Sequence, residues 1–422
     1  MTITLKATPF LVLLLITHGL FSQTTKAGFS NGVIDARSWS PHNSSFAVNG
    51  SCKVFDGLLL TPDECKKASA SARVEDFPNL FRATQGSGPG LGYATYTMTI
   101  LLPSHEKNMA ISLPQIYSSY QLWANEKLIA KNGKVGKNSE ECIPQWMPQT
   151  VLFELPSDTL VLVLQIANFH HAKGGIKEPV YIGEAPVMQF KRTVATASNL
   201  TEAAALFMIG SFFLIIFFGN KRKVALYFAM LCLTWSVRSL FSNLYLFISF
   251  YPDFDWATMI RIEYIGLYLT MAWAILFLSH IFRNESNMIV KYLLVIVNCM
   301  FTVFTLFSAP RSFTQWLNLY LIISAVLLLY GCFIIVRAWA NERIGSGLLT
   351  ISIILGLNIF GYDIFVYEGF SSYDPVIFSI GYITIFLLMG FALAMHLNLI
   401  KSKPAPSTRL TYEDLYKDQF NT

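Results

Sequence analysis

From residue 198 to residue 399 the chain reads as seven long apolar runs separated by short polar breaks: 198–219, 224–249, 257–281, 288–308, 315–336, 344–366 and 375–399. A hydrocarbon core of about 30 Å needs about 20 apolar residues in helical form, so each run is long enough to span a bilayer. Backbone facing lipid must satisfy its own hydrogen bonds, which makes helix the expected state of every run. Upstream the pattern becomes strand-like. Tyr93, Thr95, Thr97, Thr99 and Leu101 alternate with Ala94, Tyr96, Met98, Ile100 and Leu102, and Pro103 ends the run. Shorter strands are predicted at 109–113, 120–124, 127–130, 160–166 and 180–182, bounded by turn residues such as Asn125-Glu126 and Asn132-Gly133. Short strands with regular turns predict an all-β sandwich or jelly roll, antiparallel in its pairing. The expected fold class is therefore a multi-domain membrane protein, an N-terminal all-β sandwich followed by an all-α seven-helix transmembrane bundle.

The polar breaks carry orientation. Lys221, Arg222, Lys223, Arg283, Lys291, Arg337 and Arg343 fall on one side of the seven runs, together with Lys401 and Lys403. The other side holds Arg311 alongside Asp253, Asp255, Glu368 and Asp374. Basic loops stay in the cytoplasm, so the β region is expected outside the cell membrane and the C-terminus inside it. The start of the chain fits export: Lys6 is a thin basic region, 9–16 an apolar core, and cleavage is expected near Ser22. A retained short anchor is the alternative. The chain thus divides into a signal peptide (1–22), an extracytoplasmic β-sandwich sensor domain (23–192), a seven-helix membrane domain (193–400) and a short cytoplasmic tail (401–422).

Composition narrows the function classes. The net charge of +5 adds little, because the topology already accounts for where the basic residues lie. Of six cysteines, Cys52, Cys65 and Cys142 are exterior, and Cys232, Cys299 and Cys332 fall inside apolar runs. An odd exterior count permits one disulfide, with Cys52–Cys65 the expected pair. No Cys/His spacing suggests a metal site. No GxSxG, P-loop, HExxH or GxGxxG motif appears, and 382–396 holds no lysine for a retinal Schiff base. Exterior carboxylates Asp35, Asp56, Asp63, Glu75 and Asp76 show no pairing that would make a glycosidase. An enzyme, a cofactor and a nucleic-acid partner are therefore not expected.

Three segments carry a family resemblance: YATYTMTILLP at 93–103 with LPQIYSSYQLWANEKLIAKNGKVGKNS at 113–139, LVLQIANFHHAKGGI at 162–176, and the seven runs that follow. Together they resemble the bacterial seven-transmembrane receptors with diverse intracellular signalling modules. The resemblance implies a jelly roll similar to carbohydrate-binding modules, a small extracellular ligand, with carbohydrate among the candidates, and a location in the bacterial inner membrane. A cytoplasmic kinase, cyclase or phosphatase usually follows in that family. Here Pro404 and Pro406 interrupt a helix leaving the seventh run, so the expectation is either a separate cytoplasmic signalling protein as partner or a chain that is the front part of a longer polypeptide. Cys52 also stands where the family pattern leads one to expect an aromatic residue.

Two groups of residues are candidates for function. In the exterior region, Asn168, His170, His171, Gly174 and Gly175 form a loop after a buried strand, able to approach a ligand closely. The competing structural reading is a loop that caps the sandwich and packs on the membrane domain, with Asn168 satisfying turn backbone. Tyr117, Tyr120 and Trp123 are candidate stacking surfaces for a sugar ring, although Tyr120 and Trp123 point to opposite faces. Within the membrane, ionisable groups default to a functional reading. Arg238, Arg261, Glu263, Asn358 and Asp363 are expected to gather as a polar coupling cluster beneath the exterior domain, remade when ligand binds. A static ion pair, with Arg261 snorkelling to the interface, is the competing reading.

The sequence thus supports a ligand-sensing transducer first. A transporter or uptake accessory with a solute-capturing exterior domain is the alternative, and a structural tether a weaker one. Membrane-impermeant amine labelling of intact cells is expected to spare Lys401 and Lys403 until the cells are permeabilised. Labelling of either residue in sealed cells would reverse the predicted orientation.

Overall fold

The computed structural model describes residues 28–30, 32–40, 44–81, 90–103, 108–367 and 373–399. The expected signal peptide and cytoplasmic tail, Lys401 and Lys403 included, lie outside the described residues. The N-terminal lobe contains strands β1 (Gly28–Ser30), β2 (Val33–Asp35), β3 (Ser45–Val48), β4 (Gly50–Asp56) and β5 (Arg73–Phe77), with helix α1 (Pro62–Lys67) between the last two. It continues through β6 (Gly92–Leu101), β7 (Asn108–Leu113), β8 (Ile116–Tyr117), β9 (Ser119–Ala124) and β10 (Lys127–Asn132). The last four strands are β11 (Gln149–Glu154), β12 (Thr159–Asn168), β13 (Gly175–Ile176) and β14 (Val180–Glu184).

One sheet runs β1-β2-β6-β12-β9-β10, with β4 attached to β6 and β5; the second runs β11-β7-β14-β3. Pairing is antiparallel except for β2 against β6. The alternation read in β6 does place one set inward: Ala94, Tyr96, Met98 and Ile100 are buried against Ile111, Leu113, Leu162, Leu164 and Ile166. This is the sandwich predicted from the period of 2. A second, smaller cluster lies on the outer face, where α1 brings Cys65 onto Phe55 and Val163.

Cys52 belongs to the inter-sheet core and Cys65 to the outer cluster, so the expected Cys52–Cys65 disulfide is not formed. Alternate residues of a pleated sheet face opposite sides, and the sheet itself separates the two thiols. Both are free and buried, as is Cys142.

Strand β14 runs directly into helix α2 (Ala185–Asn220). At about 1.5 Å per residue, this helix exceeds the length needed to cross a bilayer. Its first turns carry Lys191 and Arg192, which hid the helix start from a reading of apolar runs. Then come α3 (Lys223–Leu240), short α4 (Leu246–Phe250), α5 (Trp256–Ile281), α6 (Met288–Phe307), short α7 (Pro310–Thr314), α8 (Leu317–Ala340), α9 (Ser346–Tyr367) and α10 (Pro375–His396). Six of the long helices are apolar and long enough to cross a membrane; α3, the seventh long helix among the described residues, is not among them. It packs mainly on α2 and α5, burying Phe228, Ala229 and Cys232 inside the bundle. Phe212, Ile215, Ile289 and Phe307 are by contrast exposed on the bundle surface, as a lipid-facing side requires.

The second apolar run, 224–249, is therefore two elements. Helix α3 stops at Leu240, Asn243 and Tyr245 adopt left-handed backbone, and α4 follows. Ser242 and Asn243 interrupt the apolar run at this point, and the left-handed backbone at Asn243 makes the break. Burial pushes the Cys52 thiol up to about 12 and that of Cys65 to about 11, which suppresses the reactive thiolate. Both are expected to resist alkylation in the native protein. Denaturation without reductant should then expose all six thiols; a deficit of two would restore the disulfide.

Candidate functional site

The lobe meets the bundle through two loops. The first, after β10, ends in Gln145 and Trp146. Gln145 donates from its backbone N to Ser118 O at 3.0 Å, and its Nε2 reaches Pro252 O at 2.8 Å, between α4 and α5. Trp146 is 2% exposed and packs edge-on against Tyr245 and Trp256 of the bundle at 5.6 and 5.5 Å. Tyr117 and His171 of the lobe surround the same indole at 5.3 and 5.1 Å. Trp146 and Tyr117 thus belong to the hydrophobic core of the bundle, although the lobe carries them.

The second loop holds the NFHHAKGG segment. Asn168 is fully buried; its Nδ2 donates to Gly90 O, His171 O and Lys173 O at 2.7–2.9 Å, and its Oδ1 accepts from His170 N and His171 N. Each such bond adds about 1 kcal/mol net, but its loss would strand buried carbonyls at about 1–3 kcal/mol each. Asn168 is a clamp within the loop. His170 Nε2 faces Ser139 O and Cys142 O at 3.1 and 2.9 Å, tying this loop to the first. The Ala172 N–H donates to Thr314 Oγ1 of α7 at 3.1 Å. A Cβ on Gly174 would come within 2.0 Å of Gly90 O, and one on Gly175 within 2.7 Å of Asn79 O. The close backbone approach expected at these glycines is made, but to neighbouring backbone of the lobe.

The aromatic candidates do not form a common platform. Tyr120 is 1% exposed in the sandwich core, its hydroxyl accepting from Gln149 Nε2 at 2.6 Å. Trp123 packs on the opposite face with the Phe55 and Cys65 cluster. Only Tyr117 faces the bundle, stacked on His171 at 4.9 Å. Tyr117 on β8 and Tyr120 and Trp123 on β9 thus point to three different places.

Between lobe and bundle lies a cavity of about 120 Å³. Tyr117, Trp146, His171, Lys177 and Glu178 line it from the lobe; Arg238, Asn243, Tyr245, Glu263, Tyr264 and Asp363 line it from the bundle. Arg238 ends α3, Glu263 lies in the second turn of α5, and Asp363 lies in the last turns of α9. The cavity therefore occupies the lobe-side end of the bundle. Tyr245 donates to Glu263 Oε2 at 3.2 Å. Arg238 lies over the Trp235 ring at 5.1 Å and crosses α5 at Gly266, where a Cβ would sit 3.1 Å from that of Arg238. Among the described residues its Nε has no hydrogen-bond partner, nor have Trp146 Nε1 and His171 Nε2.

Of the five membrane candidates, Arg238, Glu263 and Asp363 thus converge, and Arg261 and Asn358 do not. Arg261 reaches Ser308 O at 3.1 Å and caps the C-terminus of α6, a favourable place for a cation. It neighbours Glu263 at i+2, which puts the two side chains on different helix faces. Asn358 is exposed and bonds back to Ile354 O at 2.8 Å. Five positions separate it from Asp363, about 140° beyond a full turn of helix.

Glu202 on α2 was not anticipated. It is 3% exposed, accepting from Trp235 Nε1 and Ser379 Oγ, both at 3.0 Å, and so joins α2, α3 and α10. A carboxylate inside the first apolar run was the available signal. No sequence signal marked Trp146, Lys177 or Glu178.

A β-sandwich lobe docked on the end of a helical membrane bundle defines a multi-pass membrane protein with a sensor-type architecture. Residues 203–396 match the model of the 7TM diverse intracellular signalling family, to which the membrane part of the chain is therefore similar. No curated protein matches the chain. Among solved structures, a β-glucuronidase from Ruminococcus gnavus is 14% identical over 33% of this chain and 28% of its own, with a TM-score of 0.24. One from Bacteroides uniformis is 15% identical over 33% of this chain and 17% of its own, at a TM-score of 0.27. A glycosyl hydrolase from Bacteroides cellulosilyticus is 11% identical over 33% and 20%, at 0.26. The chain spans less than a third of the length of each of these enzymes.

Burial holds the His171 imidazole down to about 3 from 6.5, and pushes the Glu178 carboxyl up to about 7 from 4.5. The unfolded chain therefore protonates His171 first, and folding stability from this group falls as pH drops from 6.5 towards 3. Glu178 acts in the opposite sense, its contribution falling as pH rises from 4.5 to 7. In detergent-solubilised protein, His171→Phe is expected to lose the acid-side component, up to about 1.4 kcal/mol per pH unit. Parallel pH profiles of the melting midpoint for wild type and variant would count against a buried neutral His171.

Proposed function

We propose that the protein is a cell-surface receptor of the bacterial inner membrane that senses an extracellular small molecule through its β lobe and signals to a separate cytoplasmic effector. One observation supports this reading above others: lobe and bundle wall the cavity jointly, with Trp146, His171, Lys177 and Glu178 on one side and Arg238, Glu263 and Asp363 on the other. A solute that binds the lobe or the cavity changes how Trp146 and His171 sit on Tyr245 and Trp256. Such a change alters the surroundings of Arg238, Glu263 and Asp363 and shifts the population of two bundle packings. The basic residues Lys221, Arg222, Arg337 and Arg343 at the far helix ends offer the effector a cationic surface, on the side this reading places in the cytoplasm.

The ligand site moves in this reading from an exposed aromatic platform to the junction. A carbohydrate remains a candidate for the lobe surface, as the family resemblance implies. Transport is the second class. Against it, the cavity-lining residues of α5, α8 and α9 fall near one end of their helices, and the lining continues into Leu267, Leu317 and Leu321.

The lobe of a family member with a known ligand, joined ahead of residue 185, tests the receptor reading. The cellular response is expected to follow the transplanted ligand. A response that ignores the exchange, or solute uptake by proteoliposomes above protein-free vesicles, would reject it.

A further inference from the structure

The junction cavity has an uneven distribution of charge and hydrogen-bonding groups. On the bundle side Arg238, always protonated, faces two carboxylates, Glu263 and Asp363, so a fully ionised floor lacks one positive charge. A buried excess charge is costly unless compensated. On the lobe side Lys177 brings a positive charge. Glu178 beside it holds a proton readily, because burial pushes its carboxyl up to about 7.

The lobe side also carries hydrogen-bond donors. Trp146 Nε1 is donor only, and it is buried without a partner. His171 Nδ1 lies 3.0 Å from both the backbone N–H and the carbonyl O of Lys173; in the tautomer where that N–H donates to Nδ1, the imidazole proton sits on Nε2. That atom too is buried and unpartnered, in a side chain 3% exposed. Two N–H groups near a lysine suit a carboxylate. The rings of Tyr117, Tyr245 and Tyr264 complete walls that suit an ammonium group by cation–π contact.

We propose that this cavity binds a small zwitterion, an amino acid whose carboxylate meets Trp146, His171 and Lys177 and whose ammonium meets Glu263 and Asp363. A cavity of about 150 Å³ accepts a benzene ring. On that scale, 120 Å³ takes about five heavy atoms, which puts the smallest amino acids, glycine and then alanine or β-alanine, in range. The ligand bridges lobe and bundle, holding them in one posture. The assignment rests on the receptor reading and deepens it.

Equilibrium binding of radiolabelled alanine and β-alanine to the full chain in nanodiscs tests the proposal. At least one is expected to bind saturably, with propionate and ethylamine each weaker by about tenfold or more. Trp146→Phe keeps the ring and removes the donor; Asp363→Asn, or Glu263→Gln if that variant does not fold, removes floor charge. Each is expected to weaken binding by about tenfold while the elution profile of the protein stays unchanged. Propionate or ethylamine binding as tightly as either amino acid would overturn the proposal, as would variants of unaltered affinity. Absence of saturable binding in a chain that still passes the lobe-exchange test would overturn the zwitterion and leave the receptor reading standing.

Discussion

The insertion of Trp146 between lobe and bundle is the contact on which the rest of the arrangement depends. A polar sandwich has no intrinsic reason to hold one angle on an apolar helical bundle. Trp146 supplies it by burying a large ring among Tyr117, His171, Tyr245 and Trp256. Its own loop is held by Gln145 on both sides, to Ser118 in the lobe and Pro252 in the bundle. The neighbouring loop is held by Asn168 and His170. Because Tyr117, Trp146, His171 and Tyr245 also wall the cavity, lobe posture and cavity shape are coupled.

A second connection runs through the backbone. Strand β14 passes into α2 without a loop, and Lys191 of that helix donates to Ser45 Oγ at the start of β3. Glu202 then fastens the same helix to Trp235 and Ser379. Arg238 lies over Trp235, so the cavity floor and the Glu202 junction share an indole. Movement of the lobe therefore meets the bundle at two places, one through side-chain packing and one through a continuous rod.

Much of this was legible in the chain itself. The strands β6, β7, β9, β10, β12 and β14 follow the alternation read at 93–102 and after, because one face of each is buried. The long helices follow from apolar length. The break after Leu240 was bridged by the apolar residues on either side of it, although Ser242 and Asn243 are turn-forming residues within the run. Tyr120 and Trp123 lie on opposite faces, Tyr120 buried in the sandwich core and Trp123 half-buried against the Phe55 and Cys65 cluster, so they form no common stacking surface. Asn358 was misjoined to Asp363 because proximity along a helix was allowed to stand for proximity around it. Asn168 took the structural role of holding its loop, which polar side chains and turn backbone readily allow.

The amino-acid order determined the architecture by itself: apolar runs of bilayer length, a β region ahead of them, and basic residues gathered at one set of helix ends. These are local properties, expressed by hydropathy and period within a few turns of chain. Only the tertiary structure decided which polar groups share a space. His171, Arg238, Glu263 and Asp363 lie on four separate elements, and no local pattern records that the lobe folds back onto the ends of three of them. Burial, hydrogen bonding and charge compensation act through space, and their outcome depends on the packing angle that the aromatic wedge sets.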